Sequence, residues 1–279
     1  LHKSLKIAEE TGNKKNMFVA YNNLSYVYES ADEIEKSLQY ATTALKLAND
    51  TQDENLLFNG YIQLSRIYFS LKNNATAQQY FAEAGKLLNK IPAEKRTGYY
   101  LLLSEMNKDK RKYNESISAI SSFLEENESD LTYENIFSLN WSLINNYESA
   151  GQKNKAIETL DALEKYCEKE KDDGGLSLVL EETAQMYLIS GDEKKADEYM
   201  KKKTELNNSR IKKQLAIEEK RLELENLIKD NQLKEMNNVV DQRELEIELG
   251  RMFIVSGGRR NEAGPAFTGQ CKSYYDKEQ

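Results

Sequence analysis

Apolar positions recur along the first 206 residues with two interlocked periods. Within short stretches they fall three and four residues apart, the spacing of one helical face. Over longer distances the whole pattern repeats. Leu24-Ser25 precedes Tyr28, Leu64-Ser65 precedes Tyr68, Leu103-Ser104 follows in the same phase, Leu143 precedes Tyr147, and Thr183-Ala184 precedes Tyr187, with steps of 40, 39, 40 and 40 residues. Thirteen residues after each first position stands a small residue: Ser37, Ala77, Ser116, Ala156, Ala196. Four and seven residues further on come Ala41, Phe81, Ile120, Leu160, Met200 and then Ala44, Ala84, Phe123, Leu163, Lys203. Each period therefore predicts two helices, joined at Ser30-Ala31-Asp32, Lys72-Asn73-Asn74, Ala150-Gly151-Gln152 and Ser190-Gly191-Asp192. Gly and Asn at such joints tolerate the left-handed backbone that ends a helix.

Beyond the last repeat the pattern changes. From about Ala196 to Leu249 there is no Pro or Gly and the charges alternate. This predicts one long helix. Its apolar residues include heptad steps, Leu215 to Leu222, Ile217 to Leu224 and Leu233 to Val240 to Ile247, which do not share one register. Three arrangements stand open: the helix folds back as a cap on the array, pairs with a second copy as a coiled coil, or pairs with nothing in the isolated chain. From Gly250 the composition turns Gly-rich, and residues 251–279 read as an irregular tail. The divisions expected are 1–206 (repeat array), 207–250 (long charged helix) and 251–279 (tail).

The repeat resembles the tetratricopeptide repeat. The second unit carries the resemblance best, with Tyr61, Leu64, Ser65, Tyr68, Ala77, Phe81, Ala84 and Pro92. The first gives Tyr21, Leu24, Ser25, Tyr28, Ser37 and Ala44; the third departs at Asn107 and the fifth at Lys203. The step exceeds the usual 34 or so, with the extra residues falling after the second helix, for example between Ala48 and Leu57. The resemblance implies an all-α fold, a right-handed α-solenoid of about five helical hairpins followed by the long C-terminal helix. Leu5-Lys6-Ile7-Ala8 nearly copies Leu45-Lys46-Leu47-Ala48 one period earlier. Residues 1–10 thus read as the second helix of a further unit, and an array extending N-terminally is expected.

Composition narrows the function. The net charge is -8, with 23 Lys/Arg against 33 Asp/Glu in residues 1–200. An acidic body lacks the basic face that nucleic-acid binding needs. Two cysteines far apart, Cys167 and Cys271, form no disulfide framework or zinc spacing, and Cys167 reads as a small packed residue. No apolar run approaches a membrane span. The single histidine, His2, leaves no basis for Ser-His-Asp, Cys-His or His-metal chemistry. No catalytic residue, cofactor or metal site is expected, and the chain reads as a scaffold and not an enzyme.

The resemblance also implies where a ligand sits. In this family the first helices line a concave groove. Carried over by position, the groove residues are Asn22, Tyr26, Ile62, Arg66, Phe69, Leu101, Glu105, Trp141, Asn145 and Gln185. The Lys and Asn pair that grips a terminal carboxylate in some members is absent, since the first unit has Asn22 and Tyr26 there. The mixture of aromatic, amide and single charged residues suits an extended peptide or a helix. Trp141 is either the anchor for that ligand or a packing residue between the third and fourth hairpins. Arrays that lead into a long charged helix resemble the sensor part of bacterial signalling regulators. The expected role is a protein- or peptide-binding scaffold in such a regulator; the alternative is a self-assembly module that homodimerises through the C-terminal helix. Cytoplasm and periplasm both fit, as does a membrane-anchored parent protein.

Overall fold

The computed structural model describes residues 2–256, with side chains described for 3–252. Those residues divide into two compact units, 1–208 and the chain from Ser209 onward.

In the first unit, helices follow one another in antiparallel hairpins. After α1 (His2–Glu10), the pairs are α2 (Lys14–Ser30) with α3 (Ile34–Thr51), α4 (Glu54–Ser70) with α5 (Asn74–Leu87), and α6 (Ala93–Asp109) with α7 (Tyr113–Asn127). Then come α8 (Tyr133–Ser149) with α9 (Lys153–Glu170), and α10 (Asp173–Ile189) with the first turns of α11 (Glu193–Ser256). Among the described residues there is no strand. Among the described residues there are five hairpins, as the period predicts. The extra residues of the long step lengthen helices instead of loops: α3 and α9 are each 18 residues. One turn of 3-10 helix follows α5 (Leu88–Lys90) and another follows α7 (Glu128–Asp130).

Side-chain caps start the helices where the sequence supplies them. Asn13, Asp53, Asn73, Thr132 and Asp172 each accept a backbone N–H of the first turn. Left-handed residues end them, but glycine takes that place only at Gly12, Gly151 and Gly191; Asp32, Gln52, Lys72, Arg111 and Lys171 take it elsewhere. At the Lys72-Asn73-Asn74 joint the left-handed residue is Lys72, while Asn73 caps the next helix.

The small residues of the pattern are the contact points of each hairpin. Ser37, Ala77, Ser116 and Ala156 have no exposed surface. Two of the hairpins are closed by a serine as well. Ser37 Oγ donates to the Ser25 carbonyl at 2.9 Å, and Ser65 Oγ donates to the Ala77 carbonyl at 2.8 Å. Larger residues fill the layers between hairpins, such as Phe58, Ile62, Phe81, Leu102 and Met106 in one cluster and Ile144, Leu160, Leu163, Cys167 and Val179 in another. Aromatic rings brace the outer ends. The tyrosine at the end of the pattern stacks on a second tyrosine twelve residues later, Tyr28 on Tyr40 at 5.2 Å, Tyr68 on Tyr80 at 5.7 Å and Tyr187 on Tyr199 at 5.6 Å.

The departures in the third and fifth units have physical answers. Asn107 replaces the tyrosine and donates to Ser116 Oγ at 3.1 Å inside the hairpin. Lys203, in place of a small residue, reaches back to Glu181 at 2.9 Å. Cys167 is buried and free, with its thiol accepting from the Tyr133 hydroxyl at 3.3 Å.

Helix α11 runs on through Ser256. This corrects the expectation of a tail from residue 251, because Gly250 is accommodated within the helix; residues 257–279 lie outside the described residues. Of the described residues, no helix is long and apolar enough to cross a membrane.

Candidate functional site

Two recesses lie along the first helices of the hairpins. The first, about 310 Å³, is walled by Leu101, Ser104, Glu105 and Lys108 of α6 and by Ser138, Trp141, Ser142, Asn145 and Asn146 of α8. Trp141 forms its aromatic wall. The indole stacks on Phe137 with centroids 5.8 Å apart and planes 9° from parallel, and it packs against the core beneath. Trp141 is half-buried: it packs against the core of the fourth and fifth hairpins, not between the third and fourth, and also lines the recess.

The floor of this recess is a buried polar cluster. Asn146, only 3% exposed, donates through Nδ2 to Ser104 Oγ at 2.6 Å and to the Ser142 carbonyl at 2.7 Å. Ser142 Oγ donates to Ser104 Oγ at 2.9 Å. The carbonyl of Ser142 needs a donor opposite it, which fixes the amide orientation. Asn146 Oδ1 is left buried without a hydrogen-bond partner, an arrangement that costs stability unless something donates to it.

The second recess, about 480 Å³, is polar and is lined by Tyr26, Glu29, Arg66, Ser70 and Glu105, with Asp32 and Ile34 at its edge. Arg66 grips Glu29 with both Nε (3.1 and 3.2 Å) and Nη2 (2.7 Å), and lies over the Tyr26 ring, 4.2 Å from its centroid. Behind this pair stands Gln63, with no exposed surface. Its Oε1 accepts from Arg66 at 2.8 Å, and its Nε2 donates to Glu29 at 3.0 Å and Ser25 at 2.9 Å. The guanidinium is therefore held in place by α2 and α4 together, a geometry suited to planar hydrogen-bonding partners.

Carboxylates along this face are perturbed. Desolvation by the surrounding helices raises Glu105, with Arg66 pulling it down and Glu29 pushing it up. Glu148 is raised by desolvation first and then by the charge and hydrogen bond of Glu182, against the pull of Lys108. Among the described residues no group of three or more His, Cys, Asp or Glu could hold a metal ion.

The tetratricopeptide repeat family matches residues 18–51 and 58–87, the first two hairpins. These hairpins are tetratricopeptide repeats. The array they begin is similar to solved solenoids of the same kind. BtubC of P. vanneervenii superposes with a TM-score of 0.61 at 16% identity, over 75% of this chain and 87% of that one. TPR-like repeats assigned to a kinesin light chain of Podosopora anserina give 0.57 at 13%, over 69% and 95%. A Rap protein solved in complex with the Competence and Sporulation Factor gives 0.56 at 12%, over 69% of this chain and 54% of that one. At these identities the likeness is one of fold. No curated protein matches the sequence.

Within the array the ten positions carried over by resemblance do not all meet. Tyr26, Arg66 and Glu105 line the polar recess, and Leu101, Glu105, Trp141 and Asn145 line the other. Phe69 is half-buried beside the core of the second hairpin, and Gln185 is exposed on α10. Two are corrected. Ile62 is 7% exposed and belongs to the core, where α6 lies against it: a Cβ at Gly98 would be in ordinary van der Waals contact with Ile62 Cγ2 at 3.9 Å. Asn22 is 9% exposed, with Oδ1 buried and unpartnered. Family positions did not indicate Gln63, Ser104 or Asn146. Their signal was an amide or hydroxyl on the otherwise apolar face of a first helix.

Proposed function

We propose that residues 1–206 form a scaffold that holds a protein or peptide ligand along the first helices, and that the chain is the sensor or interaction part of a bacterial signalling regulator. The recess bounded by Trp141 carries this reading. A half-buried indole lining a recess, with an arginine held in place in the neighbouring one, supplies two of the residue types enriched in binding hot spots, and the arginine is already ordered by Glu29 and Gln63. A Rap protein of like fold is solved in complex with the Competence and Sporulation Factor, which supports a ligand-binding role for such an array. The chemistry is recognition and not catalysis. Trp141 is the single tryptophan, so its emission reports the recess directly. A displayed library of random peptides selected on the whole protein should yield a motif that shifts this emission and is lost by R66A. Selection that yields no motif, or one equally retained by W141A and R66A, overturns the reading.

A second reading, self-association through residues 207–250 of α11 as a coiled coil, is favoured by the exposed apolar side chains there, from Ile211 to Leu249. It makes the long helix the element that couples groove occupancy to assembly. Light scattering should give a dimer for the whole chain and a monomer for a chain ending at Asn207.

A further inference from the structure

The apolar residues of α11 share no heptad register, but they do share a straight one. At 100° per residue, Ile211, Leu215, Leu222, Leu233, Met236, Val240 and Ile247 fall within a sector of about 60°. Steps of eleven (211, 222, 233 and 236, 247) keep a stripe on one side of a helix with a slight right-handed supercoil. All seven side chains are 52–63% exposed. The stripe is about 54 Å long at 1.5 Å per residue, and at about 10 Å wide its pairing with an equal stripe would bury roughly 1,000 Å², the size at which specific interfaces begin.

Charge chooses the occupant and its direction. The two charged residues within the sector are Glu218 and Lys229. Residues 210–221 hold five Lys/Arg and two Asp/Glu, whereas residues 241–248 hold four Asp/Glu and one Arg. A parallel pair of identical helices sets Glu218 against Glu218, Lys229 against Lys229, the basic end on the basic end and the acidic end on the acidic end. An antiparallel pair over the same stripe lays the basic end on the acidic end and sets Glu218 beside Val240 instead of beside its own copy; Lys229, at the midpoint, faces itself in either orientation. Like charges facing across a helix pair are destabilising, and such pairs set orientation in helix association.

We propose that α11 docks against a second copy of itself in antiparallel orientation through the stripe from Ile211 to Ile247. This rests on the self-association reading above and adds its direction. Its test is the distance between two nitroxide labels in the whole protein carrying Q214C, with C271S so that the buried Cys167 is the one native thiol left. Gln214 lies near the basic end, so an antiparallel pair separates the two labels by more than about 25 Å at 1.5 Å per residue. A parallel in-register pair holds them within about 20 Å, which overturns the direction while leaving self-association standing. A monomer by light scattering overturns both. L222E together with V240E should convert the dimer to a monomer and leave thermal unfolding of the array unchanged; a dimer that survives both places the contact elsewhere and overturns the proposal.

Discussion

Gln63 offers the sharpest test of how this array is held together. Its amide makes three hydrogen bonds with no exposed surface, to Ser25 at 2.9 Å, Glu29 at 3.0 Å and Arg66 at 2.8 Å. Gln63→Leu keeps the volume and removes all three. Two of the bonds are to charged groups, each worth about 1.5–3 kcal/mol, and the third is neutral, worth about 0.5–1.5 kcal/mol. Each partner keeps another bond, however: Ser25 lies 3.0 Å from the Ser37 hydroxyl, and Arg66 and Glu29 retain each other. The loss should therefore fall below the simple sum, at about 2–4 kcal/mol. Stability in a repeat array is a nearest-neighbour sum, so the loss should be local. Hydrogen exchange should show α1–α3 opening more readily while α8 and α9 keep their protection. A change under about 0.5 kcal/mol, or equal loss of protection in every hairpin, would refute the argument that this buried network joins the first two repeats.

Three further outcomes follow from local geometry. The raised pKa of Glu148 means that the folded state holds its proton longer than the unfolded chain does, so wild-type stability falls as pH rises from the ordinary carboxylate value through the raised one; Glu148→Gln should remove that fall, gaining on wild type at pH 7.5 but not at pH 4, read by denaturant midpoints. Arg111 ends α6 at φ 56°, so Arg111→Gly should stabilise by about 0.5–1 kcal/mol, and Gly151→Ala, at φ 72°, should cost a similar amount. Leu160→Ala, at a position without exposed surface between Ile144 and Leu163, should cost about 2–5 kcal/mol in thermal or denaturant unfolding.

The repeat was legible because its physics is written in residue size. A small side chain where two helices touch and a large one where hairpins stack leave a period that survives changes of identity, from Leu24-Ser25 to Thr183-Ala184. Helix ends were less legible, since a left-handed residue costs little enough that Lys72 and Arg111 can stand where Gly is expected. The recesses were harder still. Family position named Trp141, Arg66 and Glu105, which line recesses, but also Ile62, which packs in the core with Leu102 and Met106 of α6. Gln63 and Asn146 were invisible for the opposite reason: an amide in an amphipathic helix reads as solvated, and only its partners on the neighbouring helix reveal that it is buried. The stripe on α11 is faint as a heptad pattern because its spacing is eleven.

The cross-helix polar contacts have a consequence for the modularity of the array. Repeats of this kind are often thought of as interchangeable bricks, yet here the seams are keyed. Gln63 donates to the Ser25 hydroxyl of the hairpin before it and Asn146 to Ser104, two serines in the same phase of the repeat. A chain in which the second and fourth hairpins were exchanged would still offer each amide a serine, but it would set Arg66 against Lys108, which stands in the third hairpin where its partner Glu29 stands in the first. The order of the hairpins is thereby inscribed in the seams, and lengthening this array by duplication would require a new key at each new seam.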